Sequence, residues 1–233
     1  MLTLAIETSG LCGSVALLDA QKLLAEENLE LGKRHGQELI PAIQRVLAIS
    51  ERKPQDIELV AVSVGPGSYT GLRVGVVCAK TLAYATRCRL AAVDTFQAIA
   101  CNSPLDEPSI EVIGDAQRGD LFRAKYTRMR DATWQRETGI DVIAVAAWVE
   151  KLDPADILSG PGVDKFATLI ARRCRVVPPD CRVPRAEWVG RLGIAAVDAG
   201  EAADFWSIEP LYLRRSSAEM QWEKLHPVPF PSA

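Results

Sequence analysis

Histidine is almost absent from this sequence, whose 233 residues include only His35 and His226. Neither has a second metal-binding side chain at ligand spacing, so no metal site is predicted. The six cysteines form no C-x-x-C pair, which argues against a zinc site and against a disulfide framework. We expect reduced thiols that are mostly buried.

Several sequence signatures of enzymes and membrane proteins are also missing. There is no G-x-S-x-G nucleophile motif, and Leu72 stands where a Walker phosphate loop has its lysine. No apolar run reaches membrane-spanning length, and the start "MLTLAIETSG" lacks the basic segment of a signal peptide. We therefore expect a cytoplasmic protein with no membrane contact. The net charge of −3 indicates that a partner would hold most of any bound nucleic acid.

Short apolar runs and amphipathic stretches alternate through the first hundred residues. Three runs joined by tight turns predict an antiparallel meander at 2–8, 13–19 and 22–30. Apolar residues at helical offsets predict a helix at 35–50. A strand too apolar for a sheet edge follows at 57–64, and a second helix at 70–86.

The second of these helices is apolar on nearly every side. Gly71, Gly75, Ala79 and Ala83 fall in one row that lets another backbone approach closely. Large aliphatic residues occupy much of the remaining surface. Such a helix must be covered on more than one side, by its own sheet and by something else.

The order of elements then starts again. Residues 101–109 hold two prolines and two acids and are a candidate boundary. Residues 109–130 repeat the strand–turn–strand of the start, and 156–174 repeat the order strand, Gly-Pro-Gly, helix. Helices are also predicted at 142–152 and 186–200.

This repetition predicts an α/β fold made of two related domains with a cleft between them, where ligands usually bind. The predicted limits are 1–103 for the first domain and 104–210 for the second. Residues 211–233 form a tail that is expected to pack back on the first domain.

The stretch "GPGSYTG" links a strand to a helix and has two interpretations. Gly65 and Gly67 allow positive φ and close approach, and the N–H groups after Ser68 would suit an anion. Alternatively, Ser68 or Thr70 caps the helix in an ordinary strand-to-helix turn. The loop alone favours the capped turn.

The stretch "ETSG" is the other candidate site. Glu7 ends the first strand, and Thr8 and Ser9 form a turn that could contact phosphate, while the carboxylate could orient a metal-bound water. Asp115 holds the equivalent place in the second repeat. The alternative is a pair of solvated acids at strand ends.

Five stretches resemble, in order, the TsaB (YeaZ) family, which acts in the bacterial synthesis of threonylcarbamoyladenosine in tRNA. They are "LAIETSGLCGSVALLD", "RHGQELIPAIQRVL", "VSVGPGSYTGLRVGVVCAKTLA", "IGDAQRGDLFRAKY" and "EPLYLRRSSAE". The resemblance covers most of the chain but is loose over 132–204. Glu7 and Tyr69 stand where many members have Asp and Phe, and Gln117 and Arg118 alter the second motif.

The resemblance implies two tandem actin-like domains, of the acetate kinase, sugar kinase and actin ATPase superfamily. It implies a non-catalytic dimerisation subunit without the paired metal-binding histidines of TsaD, the transferase that it resembles. The helices at 35–50 and 70–86 are expected to pair with the same helices of TsaD. The predicted partner interface comprises His35, Leu39, Ile43, Val46, Leu72, Gly75, Val76, Ala79 and Ala83.

A remnant of a nucleotide site is expected at the two turns and in the second repeat, comprising Glu7, Thr8, Ser9, Gly65, Gly67, Ser68 and Asp115. No cofactor is expected to bind tightly, although ATP, ADP or Mg²⁺ could bind weakly at an interface with the partner. The implied partners are a TsaD-like subunit, a TsaE-like ATPase, a TsaC-like adenylate synthase and tRNA held through the complex. A homodimer is expected when the chain is alone.

The alternative hypothesis is an independent ATP-dependent enzyme or a peptidase on the same fold. The missing Walker lysine does not exclude a kinase, because this fold does not use one. The lack of a well-placed base argues against a peptidase.

Overall fold

The computed structural model describes residues 1–29, 35–104, 107–130, 132–214, 221–222 and 225–226. At the centre of its first sheet lies β1 (Leu2–Glu7), whose side chains are all buried. It pairs antiparallel with β2 (Ser14–Asp19), which pairs in turn with β3 (Lys22–Asn28). On the other side, β1 pairs parallel with β4 (Leu59–Gly65), and β5 (Arg89–Asp94) completes the order β3-β2-β1-β4-β5. The predicted meander is confirmed.

Two helices cover one face of this sheet. They are α1 (His35–Ile49) and α2 (Tyr69–Thr86), which agree with the predicted helices to within a residue. Their inward side chains join those of β1 and β4 in one apolar cluster. The short helix α3 (Thr95–Cys101) follows β5.

The second half of the chain forms a second sheet, with the order β11-β10-β6-β7-β8 and β9 paired to β7. Its strands are β6 (Ser109–Asp115), β7 (Asp120–Arg128), β8 (Trp134–Arg136), β9 (Asp141–Ala144), β10 (Ile157–Ser159) and β11 (Arg175–Val176). Its helices are short, namely α4 (Val145–Val149), α5 (Gly162–Lys165) and α6 (Ala167–Ile170).

The helix predicted at 142–152 is wrong in its first part. Val142 and Ile143 belong to β9, opposite Phe122 and Leu121 of β7. Their β-branched side chains favour a strand, and this strand is formed by hydrogen bonding to β7. Only Val145–Val149 is helical.

The chain then returns to the first sheet. The helix α7 (Ala186–Asp198) covers the face opposite α1 and α2 and packs on β1, β2, β4 and β5. Its first N–H, on Ala186, donates to Ser14 Oγ at 2.9 Å. The predicted domain limits stay predictions, but α7, which they assign to the second domain, lies on the first sheet.

Residues 203–214, the C-terminal strap, run along α2 and end on the second sheet. Ala203 N donates to the Leu90 carbonyl at 2.8 Å, and Leu211 N to the Val64 carbonyl at 2.7 Å. Arg214 then forms an ion pair with Asp120 at 3.0 Å. The strap thus supplies part of the second cover that α2 requires. Of the predicted tail beyond 214, the structure describes only 221–222 and 225–226.

Asp94 joins the two sheets at the end of β5. Its carboxylate caps α3 through Phe96 N at 2.9 Å and accepts from Tyr126 Oη at 2.8 Å and Arg136 Nη1 at 2.9 Å. Burial raises the pKa of Asp94 even though the tyrosine, the arginine and the backbone N–H oppose the shift. The sheets are therefore tied by a half-buried polar cluster in addition to apolar contacts.

Among the described residues, no helix has the length and apolar character needed to cross a bilayer. The six cysteines are free thiols, as predicted, but each is only half-buried.

We expect Gly193→Ala to destabilise the fold more than Gly190→Ala. A Cβ on Gly193 would lie 2.5 Å from the Cβ of Ala61, which cannot rotate away, whereas one on Gly190 would meet the flexible end of Leu18 at 2.4 Å. Overpacking of this kind costs about 1–3 kcal/mol, and each kcal/mol lowers the Tm by roughly 2–4 °C in a chain of this size.

Thermal unfolding of both variants measures the difference, because both gain the same helix propensity from alanine. Equal Tm values would mean that α7 can shift away from the sheet.

Candidate functional site

The turns that follow β1 and β4 lie side by side, because the two strands are parallel neighbours with Ile6 opposite Val62. A Cβ on Gly67 would lie 2.6 Å from the Ser9 carbonyl oxygen. One on Gly71 would lie 2.0 Å from the Thr8 carbonyl oxygen. The glycines are therefore required for direct contact between the two turns.

Hydrogen bonds close the same contact. Ser68 N donates to the Ser9 carbonyl at 2.7 Å, and Thr8 Oγ1 donates to the Gly71 carbonyl at 2.8 Å. The Ser68 hydroxyl accepts from Gly71 N at 3.3 Å and is the N-cap of α2. The N–H groups of Ser68 and Gly71, which could otherwise bind a phosphate, therefore donate to acceptors within the chain. This geometry is the capped turn that the sequence favours, and nucleotide binding at these residues stays a prediction.

Glu7 is fully buried at the end of β1, not solvated. Its Oε1 accepts from the N–H and the hydroxyl of Ser9, while Oε2 has no hydrogen-bond partner. Ser63 Oγ and His35 Nδ1 are also buried without partners. Burial raises the pKa of Glu7, although the hydrogen bonds from Ser9, the nearby Ser63 hydroxyl and the electrostatic effect of His35 act against this shift.

Asp115 lies at the end of β6 and is engaged by its own turn. Its carboxylate accepts from Gln117 N at 2.8 Å and Gln117 Nε2 at 2.9 Å, and Lys165 Nζ lies 3.3 Å away. Gln117 and Arg118 both adopt positive φ in this turn. In the ranges that the structure covers, no group of three or more histidines, cysteines or acids could hold a metal ion.

The predicted partner-facing side chains require a correction, because nearly all of them face inward. Buried in the chain's own first half are Leu39, Ile43, Val46, Leu72, Gly75, Val76, Ala79 and Ala83. The apolar stripe that predicts each helix is the stripe that covers its own sheet. His35 is half-buried, and its Nε2–H donates to the Gly10 carbonyl at 2.9 Å.

The surface that α1 and α2 do leave open is a groove of about 490 Å³ between them, the α1–α2 groove. Val77 is 61% exposed and Ile40 49% exposed along it. It is lined by Gly36, Leu39, Ile40, Arg73, Val74, Val77, Cys78, Thr81 and Leu82. Of the lining residues, the predicted interface set contains Leu39 alone, and the exposed Ile40 and Val77 lie next in sequence to the predicted Leu39 and Val76.

A second pocket of about 450 Å³ lies beside the ends of β4 and β5. Gly65 and Asp94 line one side, Arg136 another, and strap residues 209–212 close it. The ring of Tyr212 in the strap packs against that of Tyr69 at a tilt of 34°, with 4.8 Å between ring centroids, and Arg73 Nε donates to the Tyr212 hydroxyl at 2.8 Å. No sequence pattern indicated this contact across 139 residues.

The family model described as "TsaD: tRNA N6-adenosine threonylcarbamoyltransferase" matches residues 29–188. A "tRNA threonylcarbamoyladenosine biosynthesis protein TsaB" from Bacillus subtilis is 30% identical, over 95% of this chain and 98% of that protein. This chain belongs to the TsaB family. The Escherichia coli protein of the same name is 28% identical, over 97% of this chain and 98% of its own.

Solved structures agree on the fold of this TsaB-family chain. The structure described as "YeaZ from Pseudomonas aeruginosa" has a TM-score of 0.76 and 23% identity, over 91% of this chain and 99% of its own. A second structure, an uncharacterised Pseudomonas aeruginosa protein with similarity to peptidase YeaZ, gives 0.79 and 22% over the same shares. The predicted α/β class is confirmed, and the fold is that of the YeaZ structures.

We expect Glu7→Gln to stabilise this TsaB-family chain at neutral pH. Burial places the folded-state pKa of Glu7 above its unfolded value, so the parent loses stability as pH rises between the two pKa values. The amide stays neutral, and its N–H₂ can donate towards Ser63. The advantage of the variant should be largest near pH 8 and shrink towards pH 4.5.

Urea unfolding at pH 5, 6.5 and 8 tests this, with the exposed Glu201→Gln as the matched control. A Glu7→Gln variant that is less stable than the parent at pH 8 would show that the fold favours the charged carboxylate.

Proposed function

We propose that this chain is a non-catalytic subunit that pairs with a TsaD-like transferase in the threonylcarbamoylation of tRNA. The chain's membership of the TsaB family supports a role in threonylcarbamoyladenosine biosynthesis. The observation that carries the pairing is the open apolar α1–α2 groove. Ordinary soluble domains expose single aliphatic residues, whereas a continuous groove between two helices is typical of an interface.

The groove suits a helical partner. The helices α1 and α2 flank it. Side chains from a second helix pair would fill it by ridges-into-grooves packing. The match of residues 29–188 to the TsaD family model supports a partner with a related fold, which would offer the same two helices. Such a pairing resembles an isologous dimer, in which like surfaces meet. The same surface would hold a homodimer when the partner is absent.

The polar residues at the strand ends support a role without catalysis by this chain alone. Glu7 is shielded from solvent and held by Ser9, and Asp115 is held by Gln117 and Lys165. A general base must reach the proton that it removes, which the buried Glu7 cannot do, and the carboxylate of Asp115 is already engaged by Gln117 and Lys165. His35 Nε2–H donates to the Gly10 carbonyl, and His226 Nδ1–H donates to the Trp222 carbonyl at 3.0 Å. These contacts weigh against both the ATP-dependent enzyme and the peptidase.

The rest of the proposed assembly follows the family resemblance. A TsaE-like ATPase would join the complex, a TsaC-like synthase would supply threonylcarbamoyl-adenylate, and tRNA would bind through the complex in the cytoplasm. Weak binding of ATP, ADP or Mg²⁺ would occur at the interface with the partner, because this chain's own strand-end groups are internally bonded.

We expect Val77→Asp to weaken binding to the TsaD protein of the same genome at least about 30-fold, the effect of losing ~2 kcal/mol. A carboxylate at this exposed position would be buried in the complex without a partner. Isothermal titration calorimetry gives the affinity, and circular dichroism checks that the variant is folded.

The matched control is Val183→Asp, an exposed valine beside α7 on the opposite face of the first sheet. Equal affinities for both variants and the parent would contradict the proposed interface.

Asp115→Ala separates the scaffold from an independent enzyme. If the chain is a scaffold, the Asp115→Ala variant should bind the partner within about twofold of the parent's affinity. Neither the variant nor the parent should hydrolyse ATP. Rapid ATP hydrolysis by the isolated parent, lost in the variant, would refute the non-catalytic role.

A further inference from the structure

Three aromatic rings extend beyond the end of the α1–α2 groove. Tyr84 lies near the end of α2, and Phe205 and Trp206 belong to the C-terminal strap; together they form the aromatic shelf. Trp206 is 75% exposed and Tyr84 68% exposed. Tryptophan and tyrosine offer large apolar areas at little entropic cost, so they are the residue types that dominate binding energy at interfaces.

The shelf is held in place although it is exposed. The Phe205 ring centroid lies 4.7 Å from that of Trp206 and 6.2 Å from that of Tyr84. Lys80 Nζ donates to the Ile208 carbonyl at 3.2 Å and to the Trp206 carbonyl at 3.4 Å, which fixes the strap on α2. An immobilised tryptophan that remains in water is preorganised for a contact and loses little further freedom on binding.

The shelf is continuous with the groove. Val77 and Thr81 line the groove, and Tyr84 follows them at offsets of four and seven residues, which places all three on one face of α2. A helix that lies in the groove would therefore reach the shelf if it continued towards the end of α2.

Charges of both signs lie beside the shelf, with Lys80 of α2 bonded to the strap and exposed acids on the strap side. Asp204 and Glu201 are exposed on the strap side, and Asp204 Oδ1 accepts from Trp206 N at 3.2 Å. These carboxylates would repel a phosphate backbone. An apolar helix face with a cationic flank would satisfy both the rings and the acids.

We propose that the aromatic shelf is a second anchor for the same TsaD-like partner, and that it binds the continuation of the helix seated in the α1–α2 groove. This inference rests on the proposed function. The strap then has two roles, since it covers α2 from the side and presents Trp206 to the partner.

The test compares Trp206→Ala, Tyr84→Ala and the double variant in calorimetric titrations with the TsaD protein of the same genome. Each single change should weaken binding about 10-fold, with a faster dissociation rate in surface plasmon resonance. Leu169→Ala, an exposed apolar residue of α6, is the matched control and should bind like the parent. Thermal unfolding confirms that each variant is folded.

The Val77→Asp variant distinguishes a failure of the shelf proposal from a failure of the proposed function. If Val77→Asp abolishes binding and both shelf variants stay within twofold of the parent, the shelf is not an anchor and the proposed function stands. If none of the changes alters affinity, neither the groove nor the shelf contacts the partner; if the parent itself does not bind the TsaD protein, the proposed function is overturned. If Trp206→Ala binds the partner normally but tRNA less well, the shelf contacts nucleic acid and the inference fails.

Discussion

Contact between the backbone of Thr8 and Ser9 and the glycine face of α2 is the constraint on which the first half of the molecule depends. A Cβ on Gly71 would lie only 2.0 Å from the Thr8 carbonyl oxygen, and one on Gly75 only 2.3 Å from Thr8 Oγ1, so α2 contacts the turn with no side chain of its own in between. That approach fixes the rotation of α2 about its axis. The small residues must face inward, and Val77 and Tyr84 must then face water. The α1–α2 groove is therefore open because the opposite side of α2 packs against the turn after β1.

The same closure explains the state of the strand-end acids. Because the turn folds over the end of β1, Glu7 loses solvent and gains only Ser9 as a firm partner. Asp94, two strands away in the same sheet, has more hydrogen-bond donors, since a tyrosine, an arginine and a helix N-terminus all reach it. Both carboxyl groups have raised pKa values through burial, yet Asp94 joins two sheets whereas Glu7 joins one strand to its own turn.

Much of the architecture could be predicted from sequence, because the meander, α1 and α2 follow from local periodicity. The faces of the helices could not. For α1, the sequence predicts that the regular stripe that includes Leu39 and Ile43 faces a partner. In the structure this stripe packs on the chain's own sheet. For α2, which is apolar nearly all round, periodicity does not show which face is buried. The burial of Glu7 and the packing of Tyr212 against Tyr69 depend on contacts distant in sequence, which no local pattern contains.

The placement of α7 has a consequence for synthesis. The ribosome completes all five strands of the first sheet nearly a hundred residues before it makes Ala186–Asp198. Until that helix emerges, the face formed by Ala5, Ala61 and Ala91 has no cover from it. That face, which also includes Leu18 and Leu59, therefore stays uncovered by α7 while the second sheet is translated, and exposed apolar surface of this kind is prone to aggregation.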